Sequence, residues 1–223
     1  MWGRSSPNQW FESYCVSHSD DPAIQKFEHT FLISDIVMRL NRMTFSIPAL
    51  NARWGEPCRF LAALTEITRP TTIVDIGTSN GGSSRAFLDY SPFWSKVFTF
   101  DIMPWNSYPE SWLNEKDFAG KLTQHVDDLG DENKFTKHAE LLASADLIYC
   151  DGPKDGVFEY KFIDMLSKLE MKSKTRYLVL DDIRFLNMAA LWRDIDSPKF
   201  DATSIGHWSG TGLVDITNGL KLK

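Results

Sequence analysis

The hydrophobic positions change their period once along the chain, near residue 70. Before that point Ile24, Phe27 and Phe31 recur at helical spacing behind the start signal Asp21-Pro22, and Ile36, Val37 and Leu40 carry the apolar face onward. Phe60, Leu61, Leu64 and Ile67 mark a second, short helix. From Thr71 onward, short β-branched or apolar runs alternate with helical stretches, the pattern of βα units feeding a parallel sheet. These runs predict strands over 72–76, 97–101, 122–126, 146–150 and 177–180. Between the last two, residues 155–169 put Phe158, Phe162, Met165, Leu166 and Leu169 on one helical face that can cover a sheet. A further helix is expected between about residues 184 and 195. The ending KFDATSIGHWSGTGLVDIT offers two short strands around a Gly- and Ser-containing turn, which would close the sheet with an antiparallel pair. The expected fold is α/β, a doubly wound and mostly parallel sheet, in one domain over 1–223: a helical segment over 1–69 and an α/β core over 70–223.

Composition narrows the function classes. A chain of 223 residues, 43% hydrophobic and 24% charged, can bury one substantial core, and a net charge of −6 without a visible basic patch argues against nucleic acid as a partner. No stretch reaches membrane-spanning length and the start lacks the pattern of a secretion signal, so a cytoplasmic location is expected. Cys15, Cys58 and Cys150 lack the spacing of a zinc site or a disulfide scaffold and are expected to be reduced. The fifteen Phe and eight Trp could line a ring-binding pocket, but packing alone accounts for most buried aromatics.

Candidate chemistry begins after the first predicted strand, where Val74-Asp75-Ile76-Gly77-Thr78-Ser79-Asn80-Gly81-Gly82-Ser83-Ser84 places an acidic residue before a Gly-rich turn and a helix. Glycines there let backbone approach a ligand closely, and the crevice beyond the carboxyl ends of parallel strands is where such folds bind ligands. The spacing Asp-x-Gly-x-x-x-Gly differs from the G-x-G-x-x-G of nicotinamide and flavin sites, and the carboxylate of Asp75 suits a cationic ligand. The second strand ends in Asp101, from which a carboxylate can accept hydrogen bonds from ribose hydroxyls. The combination resembles class I S-adenosylmethionine-dependent methyltransferases. The resemblance implies that Gly77, Thr78, Ser79 and Gly81 line the methionine part of the cofactor, with Ser83 just beyond them. It also implies that Asp101 holds the ribose, Ile102 packs on adenine, and Asp127 or Asp128 sits at the adenine edge.

The fourth strand runs into Asp151-Gly152-Pro153-Lys154 and the fifth into Asp181-Asp182, so both acidic clusters fall at carboxyl strand ends. Three nearby carboxylates repel and call for a cation, and an all-oxygen set suits Mg²⁺ or a similar divalent ion. Regular strand alternation forbids Asp181 and Asp182 from facing the same way, so the strand must end at about Asp181. The other readings are a helix cap for Asp182, a turn contact for Asp151, and a surface or ion-paired lysine for Lys154. Asp-x-x-Lys followed by Asp-Asp resembles the metal-dependent O-methyltransferases of the catechol and caffeoyl-CoA type and of the sugar and macrolide type. The resemblance implies Asp151, Asp181 and Asp182 as metal ligands and Lys154 as a catalytic base, in an enzyme methylating a hydroxyl of a small molecule or saccharide. His207 and Trp208 lie between the last two predicted strands, where substrate could enter, whereas His18, His29, His125 and His138 have no ligating spacing. The competing readings are a Rossmann-type NAD(P) oxidoreductase and a non-catalytic binding protein of the same fold. The N-terminal helices could cover the acceptor site or pair two subunits.

Overall fold

The computed structural model describes residues 30–40, 56–172, 175–185 and 187–223. The expected helix start at Asp21-Pro22, with Ile24 and Phe27, lies outside them. Two helices, α1 (Thr30–Leu40) and α2 (Glu56–Thr68), precede the sheet. The sheet strands are β1 (Thr72–Ile76), β2 (Lys96–Asp101), β3 (Leu122–Val126), β4 (Leu147–Cys150), β5 (Tyr177–Asp181), β6 (Lys199–Asp201) and β7 (Thr211–Asp215). Between them run α3 (Gly82–Tyr90), the single turn α4 (Glu115–Phe118), α5 (Glu132–Ser144), α6 (Phe158–Ser167) and α7 (Met188–Asp194). The order across the sheet is β3-β2-β1-β4-β5-β7-β6. The first five strands are parallel, and β7 runs antiparallel between β5 and β6. A doubly wound dinucleotide fold has strand order 3-2-1-4-5-6; the reversed β7 inserted next to β5 departs from it.

The four central strands are apolar on both sides because helices cover both faces. On one face Ile73, Leu147, Tyr149 and Val179 pack with Ile36 of α1, Phe60, Leu61 and Leu64 of α2 and Phe87 of α3. On the other, Val74, Ile76, Ile148, Leu178 and Leu180 pack with Phe135 and Leu142 of α5, Phe162 and Leu166 of α6, and Leu191 of α7. The helical face expected over 155–169 is used as such, although the helix is shorter. Asp155 Oδ1 accepts from the backbone N–H groups of Val157 and Phe158 and so holds the first turn. The helix expected from about residue 184 begins only at Met188, because Asp182 to Phe185 form a tight turn in which Phe185 N–H donates to the Asp182 carbonyl. Two opposed apolar clusters leave one edge for chemistry: the carboxyl ends of β1, β2, β4 and β5, where polar residues interrupt the runs.

Candidate active site

The turn after β1 is built around Gly77. Its φ is +95°, and a Cβ there would lie 2.2 Å from the backbone oxygen of Asp151. Backbone of the β1 turn and of the β4 exit therefore touch directly, which only glycine permits. Ser79 also takes a left-handed conformation, and its N–H donates to Asp101 Oδ2 at 2.8 Å. The other Asp101 oxygen accepts from Met103 N–H at 3.0 Å. The ends of β1 and β2 are thus tied together around one carboxylate.

Beyond these ends opens a cleft of about 530 Å³, within the size range of small-molecule and cofactor sites. Gly77, Ser79, Asp101, Ile102, Asp128 and Asp151 line it. Ile102 is 69% exposed, an apolar side chain on the wall beside Asp101. Helix α5 gives Asp127 and Asp128 different partners. Asp127 also borders the cleft, but its carboxylate is held by Lys134 at 2.7 Å, Lys137 at 2.8 Å and His138 Nε2 at 2.8 Å. Hydrogen bonds from His138, Lys134 and Lys137 hold it well below the usual carboxylate range. Asp128 is exposed and engages only its own turn, accepting from Gly130 N–H at 2.7 Å.

Four expected cofactor residues are placed elsewhere. Asp75 follows strand alternation onto the α3 face, fully buried behind the turn, where Ser83, Ser84 and Thr99 hydroxyls donate to it. Burial pushes its pKa up to about 7 against the lowering effect of those hydroxyls. Its expected contact with a cationic ligand is therefore corrected to a supporting role under the turn, shared by Ser83. Thr78 is buried too, bonded to Thr99 at 2.7 Å and Gln124 at 3.1 Å. Gly81, at φ +89°, faces Leu113 and sets the start of α3. The sequence reading missed Tyr108, Pro153 and Phe158, which complete the cleft wall. Phe158 sits where a loop becomes a helix, a position the helical pattern assigned wholly to the sheet.

The acidic clusters do meet, though not as expected. The alternation problem at Asp181-Asp182 is solved by Asp182 itself: β5 ends at Asp181, and Asp182 adopts φ 59°, a conformation Asp tolerates better than most residues. His207 from the β6–β7 turn joins the pair. One ligand atom from each of Asp181, Asp182 and His207 lies within 4.8 Å of the others, the one such group among the described residues. Asp151 is not part of it; Lys154 Nζ donates to Asp151 Oδ1 at 2.5 Å and to the Gly152 carbonyl at 2.9 Å, and stands 3.5 Å from Asp182 Oδ2. The grouping thus differs from the expected Asp151-Asp181-Asp182 set in having His207 beside the pair while Asp151 is paired with Lys154. Burial pulls the Lys154 ammonium toward neutrality, but Asp151 and Asp181 outweigh it and hold its pKa above the ordinary value. Burial, then Asp151 and Asp182, push the Asp181 pKa upward. Trp208, 71% exposed, stacks edge-on against His207 at the rim.

No protein-family model matches the chain, and no curated protein matches it. Solved structures do. A methyltransferase from Geobacter sulfurreducens shares 15% identity with a TM-score of 0.50, over 93% of this chain and 96% of its own. The S-adenosylhomocysteine-bound methyltransferase PaMTH1 of Podospora anserina shares 14% with a TM-score of 0.50, over 96% and 94%. Cofactor-bound Rv0187 from MTB shares 17% with a TM-score of 0.51, over 94% and 95%. At such identities the likeness bears on architecture, and with the reversed β7 beside β5 it gives this chain the fold of the class I S-adenosylmethionine-dependent methyltransferases.

Proposed function

We propose that the chain transfers the methyl group of S-adenosylmethionine to a hydroxyl of a small-molecule acceptor, with a divalent cation at the β5 end. The observation that carries this reading is the adjacency of two sites on one sheet edge. A cleft with a ribose-suited carboxylate at Asp101 and an apolar wall at Ile102 meets a carboxylate–imidazole group at Asp181, Asp182 and His207. Asp151 lines the cleft and, through Lys154, reaches Asp182, so the two sites share a border.

In this reading the Ser79–Asp101 hydrogen bond fixes the carboxylate that accepts from the ribose, and Asp128 faces the adenine edge. Asp75, with Ser83 and Ser84, supports the turn that receives the methionine part. Lys154 neutralises Asp151 and Asp182 and keeps them in place. The donors at Asp181, Asp182 and His207 fit a divalent cation, and the buried Asp181 Oδ1 lacks a hydrogen-bond partner among the described residues. A cation so held would supply Lewis acidity toward an acceptor hydroxyl. His207 and the exposed Trp208 form the acceptor side.

Thermal shift tests the cofactor half, since a ligand of the native state raises apparent stability by mass action. S-adenosylhomocysteine should stabilise the protein while NAD(H) and NADP(H) should not; the reverse result would support the oxidoreductase. A methyl-transfer screen over phenols, saccharides and polyketide hydroxyls, with and without chelator, tests the rest. Cofactor binding with no turnover on any acceptor would favour the non-catalytic binding protein.

A further inference from the structure

Asp75 of β1, Thr99 of β2 and Gln124 of β3 share one register line, so three polar side chains point to the face that Ile73, Val97, Leu122 and Leu147 make apolar. Asp75 and Thr99 are fully buried, and Gln124 is half-buried at the end of the row. Its Oε1 accepts from Trp105 N–H at 2.9 Å, and its Nε2 donates to the Met103 carbonyl at 3.2 Å and to the Thr78 hydroxyl at 3.1 Å. A backbone N–H on one side and a backbone carbonyl on the other fix which way the carboxamide faces. The pattern needs a donor and an acceptor on one side chain, which an ionised carboxylate cannot supply. The donor end continues inward. Thr78, accepting from Gln124, is left to donate to the Thr99 hydroxyl at 2.7 Å, and Thr99 donates to Asp75 at 3.2 Å.

The two backbone groups that Gln124 holds belong to the segment after β2 that walls the cleft. Ile102, Met103 and Tyr108 line the cleft, and a single turn over Trp105–Ser107 carries the chain from Met103 to Tyr108. Further along, Trp112 N–H donates to the Asn80 carbonyl at 2.8 Å, so the segment is fastened to the β1 turn on both sides of Tyr108. Gln124 stands behind this wall, outside the residues that line the cleft. We propose that Gln124 is a positioning residue for the cofactor, holding the wall over 102–108 against the β1 turn so that the nucleoside half of the cleft keeps a fixed width. The inference rests on the cofactor reading of this cleft and adds to it a residue that acts only through Met103, Trp105 and Thr78.

The test uses the full chain and two probes, S-adenosylhomocysteine and methylthioadenosine, which keeps the nucleoside and lacks the amino-acid part; the second is read by displacement of the first. Gln124→Ala should weaken both by the same factor, about tenfold, as expected for one or two lost hydrogen bonds. Gln124→Glu fills the same volume without the donors, so weakening there too assigns the effect to the bonds and not to packing. Parent-like affinity in either variant overturns the proposal. A loss confined to S-adenosylhomocysteine would put the effect on the methionine part through Thr78 and overturn it as well, as would a parent that binds S-adenosylhomocysteine but not methylthioadenosine. Hydrogen exchange on the parent does not depend on a variant folding. The Trp105 amide should be protected, and more so once S-adenosylhomocysteine is bound; an unprotected Trp105 amide in the bound parent overturns the role of Gln124. A parent that binds neither probe overturns the cofactor reading, whereas one that binds both, with both variants unaffected, overturns the role of Gln124 alone.

Discussion

Replacing Asp75 by Asn isolates the electrostatics beneath the cofactor turn. The carboxyl is fully buried and its pKa is pushed from 3.8 to about 7, principally by burial. Below about pH 4 the group is protonated in both folded and unfolded chains and contributes nothing to the pH dependence. Between about pH 4 and pH 7 the folded chain keeps a proton that the unfolded chain has lost, so stability falls as pH rises; above pH 7 the loss is complete. A shift of roughly 3 units at 1.36 kcal/mol each puts the loss at about 4 kcal/mol. Asn is neutral at every pH and nearly isosteric, and the hydroxyls of Ser83, Ser84 and Thr99 can rotate to accept from its amide as well as donate. The variant should therefore match the parent near pH 4 and exceed it increasingly toward pH 8. Urea unfolding followed by tryptophan fluorescence at several pH values gives both curves. Titrating groups that do not interact with Asp75 cancel in their difference. Parallel curves, with a gap constant to about 0.5 kcal/mol between pH 4.5 and 8.5, would show that Asp75 does not titrate in this window and refute the reasoning.

Further expectations follow from neighbouring residues. Gly77→Ala forces a Cβ into the Asp151 backbone at φ +95°; the left-handed conformation alone costs about 1–2 kcal/mol. With the collision added, a fall in Tm of at least about 4 °C is expected by calorimetric scanning, and an unchanged Tm would mean the turn relaxes freely. Asp101→Ala should leave the fold intact but weaken S-adenosylhomocysteine binding about tenfold or more by titration calorimetry; equal affinity would remove Asp101 from the ribose. Asp127→Asn loses the charge that Lys134 and Lys137 share and weakens the bond to the buried His138, with an expected cost of about 1–3 kcal/mol in chemical denaturation. If stability is unaffected, that carboxylate is not what ties β3 to α5.

Hydrophobic period alone placed the strands at the right residues. Five short β-branched or apolar runs, each four to six residues long, sit between helical stretches, and the inner ones, β1, β4 and β5, are near-continuously apolar because both their faces are covered. The same local grammar identified the Asp-x-Gly turn, the Asp101 strand end and the acidic pair after β5, because each is fixed by its immediate neighbours. It also raised the problem at Asp181-Asp182, without supplying the answer. That answer is a single left-handed residue, Asp182, and backbone handedness at one non-glycine position leaves no mark in a hydrophobic pattern. Direction was equally hidden for Asp75, since whether a carboxylate faces a cleft or the helix behind it depends on which face α3 covers. Only α5 could separate Asp127 from Asp128, by bringing Lys134, Lys137 and His138 to the first and none of them to the second. For the same reason it is His207, and not Asp151, whose side chain groups with Asp181 and Asp182. Lys154, three residues on, claims Asp151 locally, while His207 reaches the pair from 25 residues further along the chain because β7 returns antiparallel beside β5. Sequence period records what each segment must bury; which segments then meet is decided by packing between residues far apart in the chain.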